Sequence, residues 1–145
     1  MKDVTYTVMA ESKTATRLDV SAREFALVID EPQKLGGDNA GPNPLEYELA
    51  ALAGCINVTG HLVAREMGIT IENLTMTISG SLNPARFMGR GEEERAGFKE
   101  ITVDLKLTSP ADGATLEKWR RAVEDRCPVS DNLSSGTSLS VQINT

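Results

Sequence analysis

The chain holds two cysteines, Cys55 and Cys127, and a single histidine, His61. Cys127 stands in the run Asp125-Arg126-Cys127-Pro128-Val129-Ser130, where a proline suits the first position of a helix. That reading puts Cys127 at the N-cap, beside unsatisfied backbone N–H groups and the positive end of the helix dipole. Arg126 precedes it directly. A thiol so placed is expected to be acidic. At an unperturbed pKa of ~8.5 about 3% is thiolate at pH 7, whereas at ~6 the fraction is roughly 90%.

Cys55 falls in a different setting, within Leu49-Ala50-Ala51-Leu52-Ala53-Gly54-Cys55-Ile56-Asn57-Val58. A lone thiol there would behave as a small hydrophobe. Glu48 lies seven positions earlier and so on nearly the same helical face, whereas Glu46 falls on the opposite one. A carboxylate on a buried stripe requires a partner, and arginine suits the role. Read from residue types alone, the two cysteines remain open between packing, redox chemistry and a structural disulfide. His61 reads as a polar position on the same helix and Trp119 as core. No serine elbow or second histidine supports a hydrolase triad.

These residues must be positioned by α and β elements in alternation. Val4, Tyr6 and Val8 alternate with polar neighbours, as do Thr16, Leu18 and Val20, and then Phe25, Leu27 and Ile29. Period-two patterning predicts an antiparallel meander. Residues 31–42, with two prolines and three glycines, interrupt it. A long helix then starts with Asn43 as N-cap, Pro44 at the first position and Glu46 in capping-box position. Nothing breaks it before Met67-Gly68, which gives about 24 residues or ~36 Å. Its middle is apolar on nearly every face and must be buried all round, which one small sheet cannot achieve; a second chain is the expected cover.

Strands return at Leu74, Met76 and Ile78 and at Ile101, Val103, Leu105 and Leu107. Between them a polar, glycine-rich stretch, 83–97, carries Arg86, Arg90 and Arg95, and reads as a solvated hairpin connection or, more sharply, a lid. A helix from near Asp112 presents Leu116, Trp119 and Val123, a short helix follows Pro128, and a last strand is expected through Leu139, Val141 and Ile143. The order predicts an α+β fold with antiparallel sheets around a long central helix.

At 145 residues the chain is expected to form one domain, 1–145. A net charge of −6 argues against nucleic acid or an anionic membrane as partner. One histidine and two cysteines are too few for a structural zinc site, and no cofactor is expected. The opening stretch alternates rather than forming an apolar core, so it reads neither as an export signal nor as a membrane span; the reducing cytoplasm is the expected compartment. A cysteine pair there is more often reactive than a permanent staple.

Two separated stretches carry a resemblance. Gly41-Pro42-Asn43-Pro44-Leu45-Glu46 through Ala50-Ala51-Leu52-Ala53-Gly54-Cys55 resembles the N-P-x-E…A-A-L-x-x-C helix of the OsmC/Ohr family, and Cys127-Pro128-Val129-Ser130 resembles its second-cysteine motif. Order and spacing agree over essentially the whole chain. The resemblance implies an OsmC-like fold, an intertwined homodimer with two active sites at its interface, and reduction of organic hydroperoxides or hydrogen peroxide in oxidative-stress defence. It implies Cys55 as the peroxidatic thiolate and Cys127 as the resolving thiol, with a dithiol of lipoyl or thioredoxin type as reductant. It also implies an arginine and a glutamate that hold the thiolate. Arg23 is the first choice for the arginine and Arg17 the second, with Glu48 or Glu46 as the acid. In organic hydroperoxide resistance proteins the glutamate directly follows the motif proline, where this chain has Leu45. A non-catalytic redox-sensing or small-ligand-binding member is therefore the competing reading, with a purely structural dimerisation module behind it. The dipole favours Cys127 as the more acidic thiol, while the resemblance assigns attack to Cys55.

Overall fold

The computed structural model describes residues 1–144, which divide into two compact units, one from Met1 to Glu48 and one from Leu49 onward. In the first unit, three short strands, β1 (Met9–Ser12), β2 (Leu18–Ala22) and β3 (Phe25–Ile29), pair antiparallel in that order. Alternation sets the register: Leu18, Val20 and Ala22 lie opposite Ile29, Leu27 and Phe25, so the apolar residues share one face. β2 and β3 join through a two-residue hairpin, in which Arg23 takes the left-handed φ of 55° that such a tight turn requires.

The loop after β3 is wound around a carboxylate. Asp30 is fully buried, and its oxygens accept N–H bonds from Glu31 at 2.8 Å, Asp38 at 3.0 Å and Ala40 at 3.1 Å. The turn is so tight that a Cβ on Gly37 would stand 1.9 Å from the Glu31 carbonyl oxygen and 2.8 Å from Asp30 Oδ1. Only glycine fits there. The loop delivers the chain to the long helix α1 (Pro44–Met67), whose first turn is closed by the expected capping box. Asn43 Oδ1 accepts from the Glu46 N–H at 2.9 Å, and Glu46 Oε2 accepts from the Asn43 N–H at 2.8 Å. Tyr47 also donates its hydroxyl to the Val28 carbonyl at 3.0 Å, tying this first turn to β3.

In the second unit a hairpin of β4 (Asn73–Ser81) and β5 (Glu100–Thr108) sets Leu74, Met76 and Ile78 opposite Leu107, Leu105 and Val103. Helix α2 (Gly113–Arg126) starts where Asp112 caps it by accepting from the Thr115 N–H at 2.7 Å. It meets α3 (Pro128–Ser135) at Cys127. The core joins Leu52, Ile56, Val63 and Ala64 of α1 to Trp119, Val123 and Cys127, with the apolar face of the β4–β5 hairpin packed against it. Trp119, 2% exposed, donates its indole N–H to the Gly60 carbonyl at 2.8 Å. Its ring lies 2.9 Å from where a Gly60 Cβ would be, so the helix needs glycine at this position.

Two expectations require correction. Val4, Tyr6 and Val8 do not form a strand: residues 1–8 lie outside regular structure, with Tyr6 91% exposed, and β1 begins at Met9. Leu139, Val141 and Ile143 likewise form no strand and stand in solvent. Alternation licenses a strand only where an edge is at hand to pair with, and these segments find none among the described residues. Within the single chain, helix α1 is covered on one stripe; Ala51, Gly54, Val58 and Leu62 remain exposed. Segment 83–97 is an exposed hairpin connection between β4 and β5, held by its own bonds from Arg86 to the Glu92 and Glu94 carbonyls and from Lys99 to Glu94. Among the described residues no helix is long and apolar enough to cross a membrane.

Candidate thiol site

Cys127 occupies the junction where α2 ends and α3 begins. Its extended backbone (φ −80°, ψ 110°) turns the chain, and Pro128 opens the new helix. The Asp131 N–H closes the first turn on the Cys127 carbonyl at 3.0 Å. The first N–H groups of α3 therefore have no partner within the helix and lie at the junction that Cys127 occupies. Cys127 is only 1% exposed.

Cys55 sits in the middle of α1, partly buried, at the border between the covered stripe and the exposed one. It packs against the core that contains Cys127, and both thiols are free. The structure thus brings together two cysteines from distant parts of the chain.

Their acidities diverge. Burial pushes the Cys55 thiol up; the neighbouring Cys127 adds to that rise, and bonds from the Val129 N–H and the Thr59 hydroxyl offset it only in part. Burial acts on Cys127 too, but bonds from the Ser130 side chain, from Cys55 and from the Ser130 and Val129 backbone outweigh it, and its pKa falls below the ordinary value. Of the two thiols, Cys127 is thus the more acidic. The N-cap reading of Cys127 stands, with one change of agent. Arg126 turns its guanidinium away to Glu66, binding both carboxylate oxygens at 2.5 and 3.0 Å, so backbone N–H groups and Ser130 acidify the thiol instead.

The remaining site candidates lie in the unit from Met1 to Glu48. Arg23 is at the β2–β3 hairpin corner with its guanidinium 5.0 Å over the Phe25 ring. Arg17 immediately precedes β2 and bonds Asp19 through Nε at 3.0 Å. Glu46 is taken up by the capping box. Glu48 is half-buried and joins none of the salt bridges among the described residues. His61 lies exposed on α1. No group of three or more His, Cys, Asp or Glu side chains among the described residues could hold a metal ion.

Two members of the site were not singled out from the sequence. Thr59 follows Cys55 by one helical turn, and Ser130 occupies the third position of α3, where a hydroxyl can reach back to the N-cap. Both spacings are visible in the chain as signals.

A family model described as OsmC-like protein matches residues 36–142. None of the curated proteins matches the chain significantly. Among solved structures, an OsmC-like protein from Mycoplasma pneumoniae is similar at a TM-score of 0.79 with 24% identity, over 99% of this chain and 98% of that one. An organic hydroperoxide resistance protein OsmC from Legionella pneumophila is similar at 0.66 with 22% identity, over 94% and 93%. An organic hydroperoxide resistance protein from Elizabethkingia anophelis is similar at 0.64 with 20% identity, over 92% and 91%. These likenesses establish the OsmC-like α+β fold.

Proposed function

Because the chain belongs to the OsmC-like protein family, we propose that it is a thiol-dependent peroxidase that reduces organic hydroperoxides, or hydrogen peroxide, through Cys55 and Cys127. The observation that carries this reading is the meeting of the two free cysteines in one core, with one of them acidified by the N-terminus of α3. Two structural neighbours described as organic hydroperoxide resistance proteins support the choice of oxidant.

In the proposed cycle the Cys55 sulfur attacks the O–O bond. The peroxide oxygen stays on sulfur as a sulfenic acid, and the alcohol leaves with the proton. The Cys127 thiolate then displaces the sulfenic hydroxyl, which takes a proton from solvent and departs as water, and a disulfide closes. A dithiol of lipoyl or thioredoxin type returns both sulfurs to the reduced state. Cys55 is the nucleophile in this scheme because it has an exposed side, whereas Cys127 is sealed by its own chain.

Attack requires the Cys55 proton to leave, and burial opposes that. A guanidinium from Arg23 or Arg17 is proposed to stabilise the thiolate, oriented by Glu48, or by Glu46 at the expense of its cap. A homodimer completes the assembly: the exposed Ala51, Gly54, Val58 and Leu62 of α1 form an apolar surface, and no neighbour stands within 4 Å of a Cβ at Gly54. A second copy there would supply the helix's missing cover. The cytoplasm is the proposed compartment.

The test is peroxide consumption by purified protein with dihydrolipoamide or dithiothreitol. Wild type is expected to turn over repeatedly and Cys55→Ser to fall to background; equal rates would refute the assignment. The raised pKa of Cys55 and the leucine at position 45 favour a second reading, a redox-sensing or ligand-binding member. That reading predicts one disulfide per chain and no further consumption.

A further inference from the structure

The two sulfurs of the oxidised pair would not be equivalent toward an incoming thiol. Resting on the proposed disulfide, we infer that reduction begins at Cys55: the external thiolate attacks Cys55 Sγ and expels Cys127. Access and leaving-group chemistry both point this way.

Access is decided within one chain. Cys127 is 1% exposed, enclosed by α1, α2 and α3 of its own core, and no second copy can uncover it. Cys55 is less enclosed, being partly buried and packed against the edge of that core.

The leaving group is decided by backbone geometry. Thiol–disulfide exchange is faster when the departing thiol is the more acidic. Expelled from the disulfide, Cys127 receives the electron pair at the N-cap of α3, where N–H groups without helical partners and the Ser130 hydroxyl await a negative charge. Expulsion in the opposite sense would leave the charge on Cys55 inside α1, whose own N–H groups are committed to the helix, so that only the Val129 N–H and the Thr59 hydroxyl offset its burial.

The steps balance. The external thiolate forms an S–S bond with Cys55 as the Cys55–Cys127 bond breaks, and Cys127 leaves as a thiolate. The second thiol of the dithiol, deprotonated, attacks the sulfur it shares a molecule with. The oxidised dithiol departs and Cys55 leaves with the electron pair, taking a proton from solvent. Two electrons pass from dithiol to protein.

The experiment forms the disulfide with diamide, so that it does not depend on peroxide. The oxidised protein is mixed briefly with the monothiol N-acetylcysteine and quenched in acid, which halts exchange. Pepsin digestion and mass spectrometry then locate the adduct. The expected product carries N-acetylcysteine on Cys55 with Cys127 free. An adduct predominantly on Cys127 overturns the inference, as does the absence of any Cys55–Cys127 disulfide after diamide. A disulfide that forms with diamide but not with hydroperoxide, and then yields the Cys55 adduct, refutes the peroxidase reading while upholding the direction of reduction.

Discussion

The middle of α1 and the α2–α3 junction each present one cysteine to the same core, yet the more deeply buried of the two is the more acidic. Desolvation alone predicts the reverse, because removing water disfavours any thiolate. What separates the regions is the state of the backbone. Inside α1 the helix's own N–H groups are spent on the helix, so Cys55 relies on one N–H from outside, that of Val129, and on a threonine hydroxyl one turn away. At the junction a helix begins, and its first N–H groups are available to a charge. A free helix end outweighs burial here.

Three substitutions sharpen or break this contrast. The largest expected effect is on the frame that both regions share. Trp119→Ala removes the indole that fills the core and bonds Gly60, and is expected to lower the unfolding free energy by about 3–5 kcal/mol. Urea denaturation reads this directly; a loss below about 1 kcal/mol would mean that the core does not depend on Trp119. Next, Ser130→Ala should raise the Cys127 pKa, because the thiolate loses a hydrogen-bond donor. The pH dependence of iodoacetamide labelling would show it, with the Cys127 profile moving to higher pH and that of Cys55 nearly still. The smallest effect belongs to Thr59→Val, which removes the hydroxyl beside Cys55, the least of the influences on that thiol, and should push it slightly further up. Should Ser130→Ala leave Cys127 unmoved, helix N–H groups alone account for its acidity. An unmoved Cys127 combined with a large shift in Cys55 would invert the comparison.

Much of this was legible in the sequence, for reasons that differ by residue. Leu18, Val20, Leu27, Leu74, Met76 and Leu105 alternate because the pleat alternates, and each of their strands has a neighbour close by in the chain. Asn43, Glu46 and Asp112 announce helix starts because their side chains satisfy bonds local to those starts. The same local logic located Cys127 at an N-cap. Tyr6 and Val141 carry the same alternation as β2, but a strand is a property of two segments, and pattern reports only one. Arg126 misled because adjacency in sequence says little about where a long side chain points at a helix end; its partner, Glu66, is 60 positions away. Arg23 and Arg17 resist assignment for the same reason. An arginine's function is set by what its guanidinium reaches, which lies beyond local spacing.

The loop wound around Asp30 has a consequence for behaviour in acid. Its carboxylate is held by backbone N–H groups, the Ala40 bond first among them, which keep its pKa below the usual 3.8 although burial works against this. The unfolded chain therefore takes up the proton first. The stability this group supplies is complete above about pH 4 and is lost as the pH falls through the lower folded value. A neutral acid in that cradle would face donors aimed at a charge that had gone. The loop that leads to the long helix thus keeps this support through mild acid and loses it only in stronger acid.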